Sequence, residues 1–377
     1  MRPSPTKRMT ILMTGGHVTP AIATIEEIRS RSLVWRIVFV GRLRALEGEK
    51  AISEEYRLMR DLRIPFVPIV AGRLKREGGV GALFALAKVP IGFFQAIGII
   101  RRERPSVVVS FGGYVALPVA LAARVFGVPI ITHEQTTRPG VANRLISRIA
   151  SVVCVTFADT AALFPKSQRV EVTGLPVRKE IFLHPRTCPF RLSMNKPILL
   201  IVGGSTGSVS VNNVLFQALP RLLDTYVVIH QVGRVSEAKS REVLRTLQPR
   251  MRERYIVRVY LSASEYSWAL HHANIVIGRS GANTVMELLL SAAVAILIPL
   301  PWAADNEQFH NARRLLSGGS EIVSQDTLSD TTLISTIKRM MTNWEERKAL
   351  AQRLAATMPN NGAERLVGVI ERVVGAS

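Results

Sequence analysis

Short unbroken apolar runs recur along the chain, each closed by glycine or a polar group and followed by apolar positions three or four apart. Met9 to Met13, Val34 to Val40, Pro65 to Val70, Ser106 to Ser110, Val128 to Thr132 and Val152 to Thr156 show little alternation. Strands covered on both faces read this way. Between them, Pro20 to Arg31 sets Ala21, Ile25 and Ile28 on one side, a basic stretch around Ala45 to Arg60 has helical character, and about Leu117 to Phe126 reads as another helix. Strands alternating with helices predict βαβ units and a parallel sheet.

The pattern then restarts. Val172 to Arg178 gives way to Ile181 to Lys196, which has no clear period, and Pro197 to Val202 opens a second series with Tyr226 to Val232, Tyr255 to Tyr260 and Ile275 to Ile277. Asp330 to Ser377 predicts two helical patterns, the last (Ala363 to Val374) amphipathic. The composition shift between Thr173 and Lys196 sets domains at 1–175 and 176–377, with the last helix able to pack back on the first domain. Both halves begin strand, glycine turn, helix: Thr14-Gly15-Gly16-His17 in one, Gly203-Gly204-Ser205-Thr206-Gly207-Ser208 in the other. Two Rossmann-like parallel-sheet domains facing across a cleft are expected.

Polar residues gather where strands end. In the first half these are His17, then Gly112-Gly113-Tyr114, then His133-Glu134-Gln135 with Asn143 beyond. The carboxyl ends of parallel strands are the usual ligand crevice. His17 is open to two readings, a helix-start residue packing locally or a titratable imidazole at the strand ends. In the second half, Gly278-Arg279-Ser280-Gly281 precedes a helix carrying Thr284 and Glu287 on one face, and Asp305, Gln308 and Asn311 follow the next apolar run. A glycine turn at a helix start suits an anion, and an acidic residue nearby suits ribose hydroxyls. An ordinary crossover with polar surface residues is the plainer alternative. The chain lacks HExxH, P-loop, GxSxG and Asp-x-Asp signatures. A bound diphosphate would therefore fall to backbone N–H groups, Ser205 and an arginine, Arg178 or Arg279.

Composition narrows the partners. The 377 residues carry a formal charge of +21, which favours an anionic partner. Aromatic residues, 6% of the chain, do not interleave with the basic runs as stacking platforms for nucleic acid would, so no nucleic-acid partner is expected. The two cysteines, Cys154 and Cys188, lack metal or redox spacing, and the short apolar run near Met1 does not read as a signal peptide. Val80 to Ile100 is apolar but interrupted by Lys88, Pro90 and glycines, between Arg73-Leu74-Lys75-Arg76 and Arg101-Arg102-Glu103-Arg104. Of a membrane span, a buried or hinged helix pair, and an interfacial apolar patch with a basic rim, the last two together are expected, part of the segment buried and part facing lipid.

Six ordered motifs sharpen this reading: TGGHVTPA from Thr14, FGGYVALP from Phe111, HEQTTRPGVANRL from His133, VTGLPVRKEI from Val172, GGSTGS from Gly203, and RSGANTVMEL from Arg279 with ADNEQFHNAR. Together they resemble the MurG family of bacterial glycosyltransferases, from Thr14 to about Leu315. The resemblance implies a GT-B fold and inverting, metal- and cofactor-free transfer of GlcNAc from UDP-GlcNAc to the C4 hydroxyl of MurNAc in undecaprenyl-pyrophosphoryl-MurNAc-pentapeptide (lipid I). The product is lipid II. It implies donor contacts from Arg178, Ser205, Ala282, Asn283, Thr284, Glu287, Gln308 and Asn311. Acceptor contacts fall to Thr14, Gly15, Gly16, Tyr114, His133 and Asn143, with His17 as first and Glu134 as second choice of base. It also implies peripheral attachment to the cytoplasmic face of the cell membrane, an anionic surface met through Val80 to Ile100 and its basic neighbours. The chain departs from the family's pattern at Leu12-Met13, Val115-Ala116-Leu117, Thr136 and Thr206. Alternatives are a UDP-sugar transferase acting on another glycolipid and a nonhydrolysing UDP-GlcNAc epimerase.

Overall fold

A computed structural model describes residues 9–44, 52–70, 80–183, 185–192, 195–203 and 207–376; for 80–89 and 304 it describes backbone only. The chain forms two compact units, Met1–Arg178 with Asn361–Ser377, and Lys179–Asn360.

In the first unit, strands β1 (Thr10–Thr14), β2 (Arg36–Gly41), β3 (Phe66–Pro68), β4 (Val107–Ser110), β5 (Ile130–Glu134), β6 (Val152–Val155) and β7 (Val170–Val172) alternate with helices. The helices are α1 (Val18–Ser30), α2 (Glu54–Asp61), α3 (Val80–Glu103), α4 (Ala116–Val125), α5 (Val141–Ser147) and α6 (Ala158–Ala161). The sheet is wholly parallel, in the order β3-β2-β1-β4-β5-β6-β7. The chain winds outward from β1 to β3 and resumes on the other side of β1 with β4, so the strand order reverses between β1 and β4. Alternate side chains of β1 feed two cores: Ile11 and Met13 pack with α1, Leu12 with α3 and α4.

The second unit repeats the plan with β8 (Ile198–Val202), β9 (Val227–Gln231), β10 (Tyr255–Arg258), β11 (Ile275–Gly278), β12 (Ala295–Leu297) and β13 (Glu321–Ile322). Its helices are α7 (Val209–Leu223), α8 (Glu237–Thr246), α9 (Pro249–Arg252), α10 (Ala263–His272), α11 (Ala282–Leu290), α12 (Glu307–Arg313), α13 (Asp330–Thr342) and α14 (Trp344–Ala356). Strand order is β10-β9-β8-β11-β12-β13, again parallel, with the reversal between β8 and β11. The final helix, α15 (Gly362–Gly375), returns to the first unit, where Leu366, Val367, Val369 and Ile370 share a core with Ile25 and Ile28 of α1.

Three local expectations change. The basic stretch before Arg60 becomes helical only at Glu54, because Ser53 turns extended and accepts the Tyr56 N–H as N-cap; residues 45–51 lie outside the described residues. The apolar segment is one helix running through Pro90, not a hinged pair, and among the described residues no helix is long and apolar enough to cross a membrane. The end of the chain holds three helices, since Asn343 leaves helical geometry (φ −124°, ψ 39°) and Trp344 Nε1 donates to the Asn274 carbonyl at 2.6 Å.

Leu366→Ala removes a fully buried side chain and is expected to cost about 2–5 kcal/mol. Hydrogen exchange locates the damage: protection should fall in β1 and β4 and persist in β8 and β11. Equal loss in both sheets would contradict the assignment of α15 to the first unit.

Candidate functional site

At the first reversal two strand-to-helix turns touch. Gly15 has φ +147°, and a side chain there would put its Cβ 2.9 Å from the Phe111 backbone. Gly16 N–H donates to the Gly112 carbonyl at 3.0 Å, and Gly112 and Gly113 both have positive φ. Only glycine allows backbones this close. His17 follows as the N-cap of α1 without a side-chain capping bond. Its half-buried imidazole is held below its ordinary value by burial, while the nearby carboxylates of Glu134 and Glu55 pull it upward.

The end of β5 supplies the next groups. His133 Nε2 lies 2.9 Å from the Gly174 carbonyl, which can only accept, so Nε2 carries the proton. Nδ1 is then a buried lone pair with no hydrogen-bond partner, and burial lowers the ring to about 4. Thr14 Oγ1, at the end of β1, is a second buried polar atom without a partner. Glu134 is different. Its Oε1 accepts from Thr136 N–H (2.9 Å) and the Thr136 hydroxyl (2.7 Å), and its Oε2 from Gly140 N–H (3.2 Å) and Asn143 Nδ2 (2.8 Å). A carboxylate with four donors clips the 136–140 loop to the start of α5. The Asn143 amide also donates to the His133 carbonyl and accepts from the Thr132 hydroxyl, so it is spent inside the fold. The Tyr114 hydroxyl accepts from Arg42 at 2.8 Å, and Arg42 is paired with Glu55 at 3.0 Å.

At the second reversal, a Cβ on Gly278 would lie 2.5 Å from the Val202 carbonyl, the same close approach of adjacent strand ends. Gly281 starts α11 without a side-chain cap, with Ala282, Asn283 and Thr284 in its first turn. Asn283 Oδ1 is buried and has no hydrogen-bond partner. Glu287 is buried and accepts from the Tyr266 hydroxyl at 2.8 Å, which fixes the carboxylate. Gln308 Oε1 accepts from Leu300 N–H at 3.1 Å, and Asn311 Nδ2 lies 3.4 Å from the Ser280 carbonyl. These contacts tie α12 to the loop after β12 and to the α11 turn. Arg178, half-buried, ends the N-terminal stretch of the first unit; Ser205 lies outside the described residues.

Arg279, the alternative diphosphate ligand, has its donors committed. Nε reaches Ser208, Nη1 the Ile298 and Pro299 carbonyls, and Nη2 Ser210 and Gln325. It braces the start of α7 against the end of β12 and leaves direct anion contact to other groups. Arg42, Glu55 and Tyr266 are the neighbours that sequence reasoning missed. Arg42 directly follows a strand end, a signal it could have used, whereas Tyr266 sits mid-helix far from Glu287 in sequence.

Two wholly parallel sheets, each with glycine turns at its reversal, define a GT-B architecture, and the Glycosyltransferase family 28 N-terminal and C-terminal domain models match residues 9–155 and 198–366. A Desulforamulus reducens relative named UDP-N-acetylglucosamine–N-acetylmuramyl-(pentapeptide) pyrophosphoryl-undecaprenol N-acetylglucosamine transferase is 33% identical over 90% of this chain and 91% of its own. A Lachnoclostridium phytofermentans protein of the same name is 34% identical over 96% of each chain. The crystal structure of Acinetobacter baumannii MurG aligns with TM-score 0.71 and 26% identity, covering 97% of this chain and 99% of that one. The chain belongs to the MurG family. A Listeria monocytogenes structure described as a putative UDP-N-acetylglucosamine 2-epimerase, at 13% identity and TM-score 0.64 over 98% of each chain, shares the fold alone.

The neutral His133 ring gives a signed pH dependence. An unfolded histidine takes its proton near pH 6.5, the folded one only near 4. Stability is therefore intact above 6.5 and falls as pH drops toward 4. Urea unfolding at stepped pH should show this slope, and His133→Gln, which keeps a donor for Gly174, should make it shallower, leaving the part due to other buried histidines such as His230. An unchanged slope would mean the ring is not held neutral.

Proposed function

We propose that this protein transfers N-acetylglucosamine from UDP-GlcNAc to the C4 hydroxyl of the MurNAc residue of lipid I, releasing UDP and forming lipid II with inversion at the anomeric carbon. The observation that carries the reading is full-length relationship, at a third of positions identical, to enzymes named for this transfer. The site geometry supports it: each unit has a glycine turn at its strand reversal and buried polar atoms left without partners there.

The second unit, with Arg178, takes the donor. Glu287, pre-oriented by Tyr266, accepts from the ribose hydroxyls; Ala282 to Thr284 lie along the nucleotide and sugar; Gln308 and Asn311 meet the GlcNAc hydroxyls. Arg178, Ser205 and turn N–H groups stabilise the charge that grows on the departing diphosphate. The first unit takes the acceptor at Thr14, Gly15, Gly16, Tyr114 and His133, with Asn143 supporting the turn from behind. His17 removes the C4 hydroxyl proton. Glu134, saturated by four donors, holds the loop and raises the basicity of His17 through its charge, a positioning role in place of the proton transfer considered for it.

Attachment to the cytoplasmic face of the membrane is part of the proposal. Ile91 and Phe94 of α3 and Leu121, Val125 and Phe126 around α4 are exposed, with Arg101 over the Phe126 ring and Arg102, Arg104 and Arg124 exposed nearby. An apolar patch with basic neighbours suits an anionic bilayer surface. The side chains of 80–89 and the Arg73 to Arg76 cluster lie outside the described residues.

A transfer assay with UDP-GlcNAc and a lipid I analogue tests the reaction; UDP release without a disaccharide-lipid product would overturn the acceptor assignment. His17→Ala should lower kcat by about 10²–10⁴ and leave the donor KM within about twofold. Because the base must be neutral, activity falls as pH drops through the His17 pKa, below 6.5, and Glu134→Gln should move that acid limb lower. Glu287→Ala should weaken UDP-GlcNAc binding by about tenfold or more; unchanged affinity would remove the ribose role.

A further inference from the structure

Beneath the start of α7 lies a buried chain of polar side chains that no step above uses. Tyr255 on β10, His230 on β9 and Asn212 on α7 are 4%, 0% and 0% exposed. Asn212 Nδ2 donates to the Val232 carbonyl at 2.8 Å, which turns its Oδ1 toward His230 Nε2 at 3.0 Å. Oδ1 can only accept, so Nε2 bears the proton, and the Tyr255 hydroxyl donates to Nδ1 at 2.9 Å. Every bond then runs one way: Tyr255 to His230 to Asn212 to Val232. Burial keeps the imidazole neutral, its pKa lowered to about 3, and pushes the Tyr255 phenol up, so neither end of the chain reverses near neutral pH.

The chain ends where the turn is held. Gly207 has φ +87°, and a Cβ on it would stand 2.4 Å from the same Val232 carbonyl and 3.3 Å from the Gly233 Cα. Gly233 itself has φ +72°. Asn212 N–H meanwhile donates to the Ser208 carbonyl at 2.8 Å, so one residue grips both sides of the contact. We propose that the Tyr255–His230–Asn212 chain is a positioning device for the donor, setting the distance between the Gly207 and Gly233 turns and so the alignment of the α7 start with the donor diphosphate. The inference rests on the donor reading given above. None of the three touches substrate.

The test compares Asn212→Asp, whose second oxygen would face the Val232 carbonyl, with Gly207→Ala, which wedges the same contact from the other side. Both should raise the UDP-GlcNAc KM and the UDP Kd about tenfold and lower kcat with them, with the lipid acceptor KM within about twofold. A network that only stabilises the fold would lower the melting temperature without this split. Wild-type binding of UDP, by calorimetry, is measured first: no binding overturns the donor reading and this inference with it. Wild-type binding with an unchanged donor KM in folded Asn212→Asp overturns the inference alone. If Asn212→Asp does not fold, Gly207→Ala decides, and a donor KM within about twofold of wild type is the overturning result.

Discussion

Each unit depends on one constraint, the contact of two strand-to-helix turns where the parallel sheet reverses its order. At that edge the strands have run out of sheet partners, and helix N-termini begin with unpaired N–H groups. For the turns to share the space, the backbone must come closer than a Cβ permits. Gly15 against Phe111 and Gly278 against Val202 meet this condition at the two reversals, and Gly207 against Val232 meets it beside the second, between β8 and β9. The glycines thus permit a donor-rich edge, and the side chains beside them decide what it can hold.

Much of this was legible in the chain. Apolar runs without alternation announced strands covered on both faces, and the polar residues closing them, His17, Tyr114, His133 and Glu287 among them, do stand at strand ends or on the helices that follow. What pattern could not reach was partnership across long separations. Nothing local says that Arg279 spends its guanidinium on Ser208, Ser210 and Gln325, or that Asn143 is consumed by Glu134 and the His133 carbonyl. Glycine before a helix and arginine after a strand look alike whether the arginine meets a ligand or braces a loop. Helix ends were similarly hidden, because Ser53 and Asn343 act through a single cap or dihedral that a hydrophobic period does not register.

The first-unit cluster also explains how a carboxylate and two imidazoles coexist without collapsing into ion pairs. His133 is denied a charge by burial, which outweighs the Gly174 carbonyl that accepts from its Nε2–H. Glu134 is wrapped by donors, and its negative charge is balanced by dipoles more than by a single cation. His17, half-buried, then feels opposed effects of burial and carboxylates. A group so balanced changes protonation with small changes in surroundings, which is the property a general base requires.

The two units use one architecture for different chemistry, and the contrast lies in their side chains. The first edge carries titratable groups, His17, His133, Glu134 and Glu55. Beside Arg279, Asp305 and Glu287, the second carries amides and hydroxyls: Asn283, Thr284, Gln308 and Asn311. Amides and hydroxyls recognise sugars and nucleosides by matching donors to acceptors, and they gain nothing from proton transfer. An attacking hydroxyl must lose a proton, so the base belongs on the edge that takes the acceptor. The division of residue types is in keeping with the proposed reading, acceptor chemistry in the first unit and donor recognition in the second.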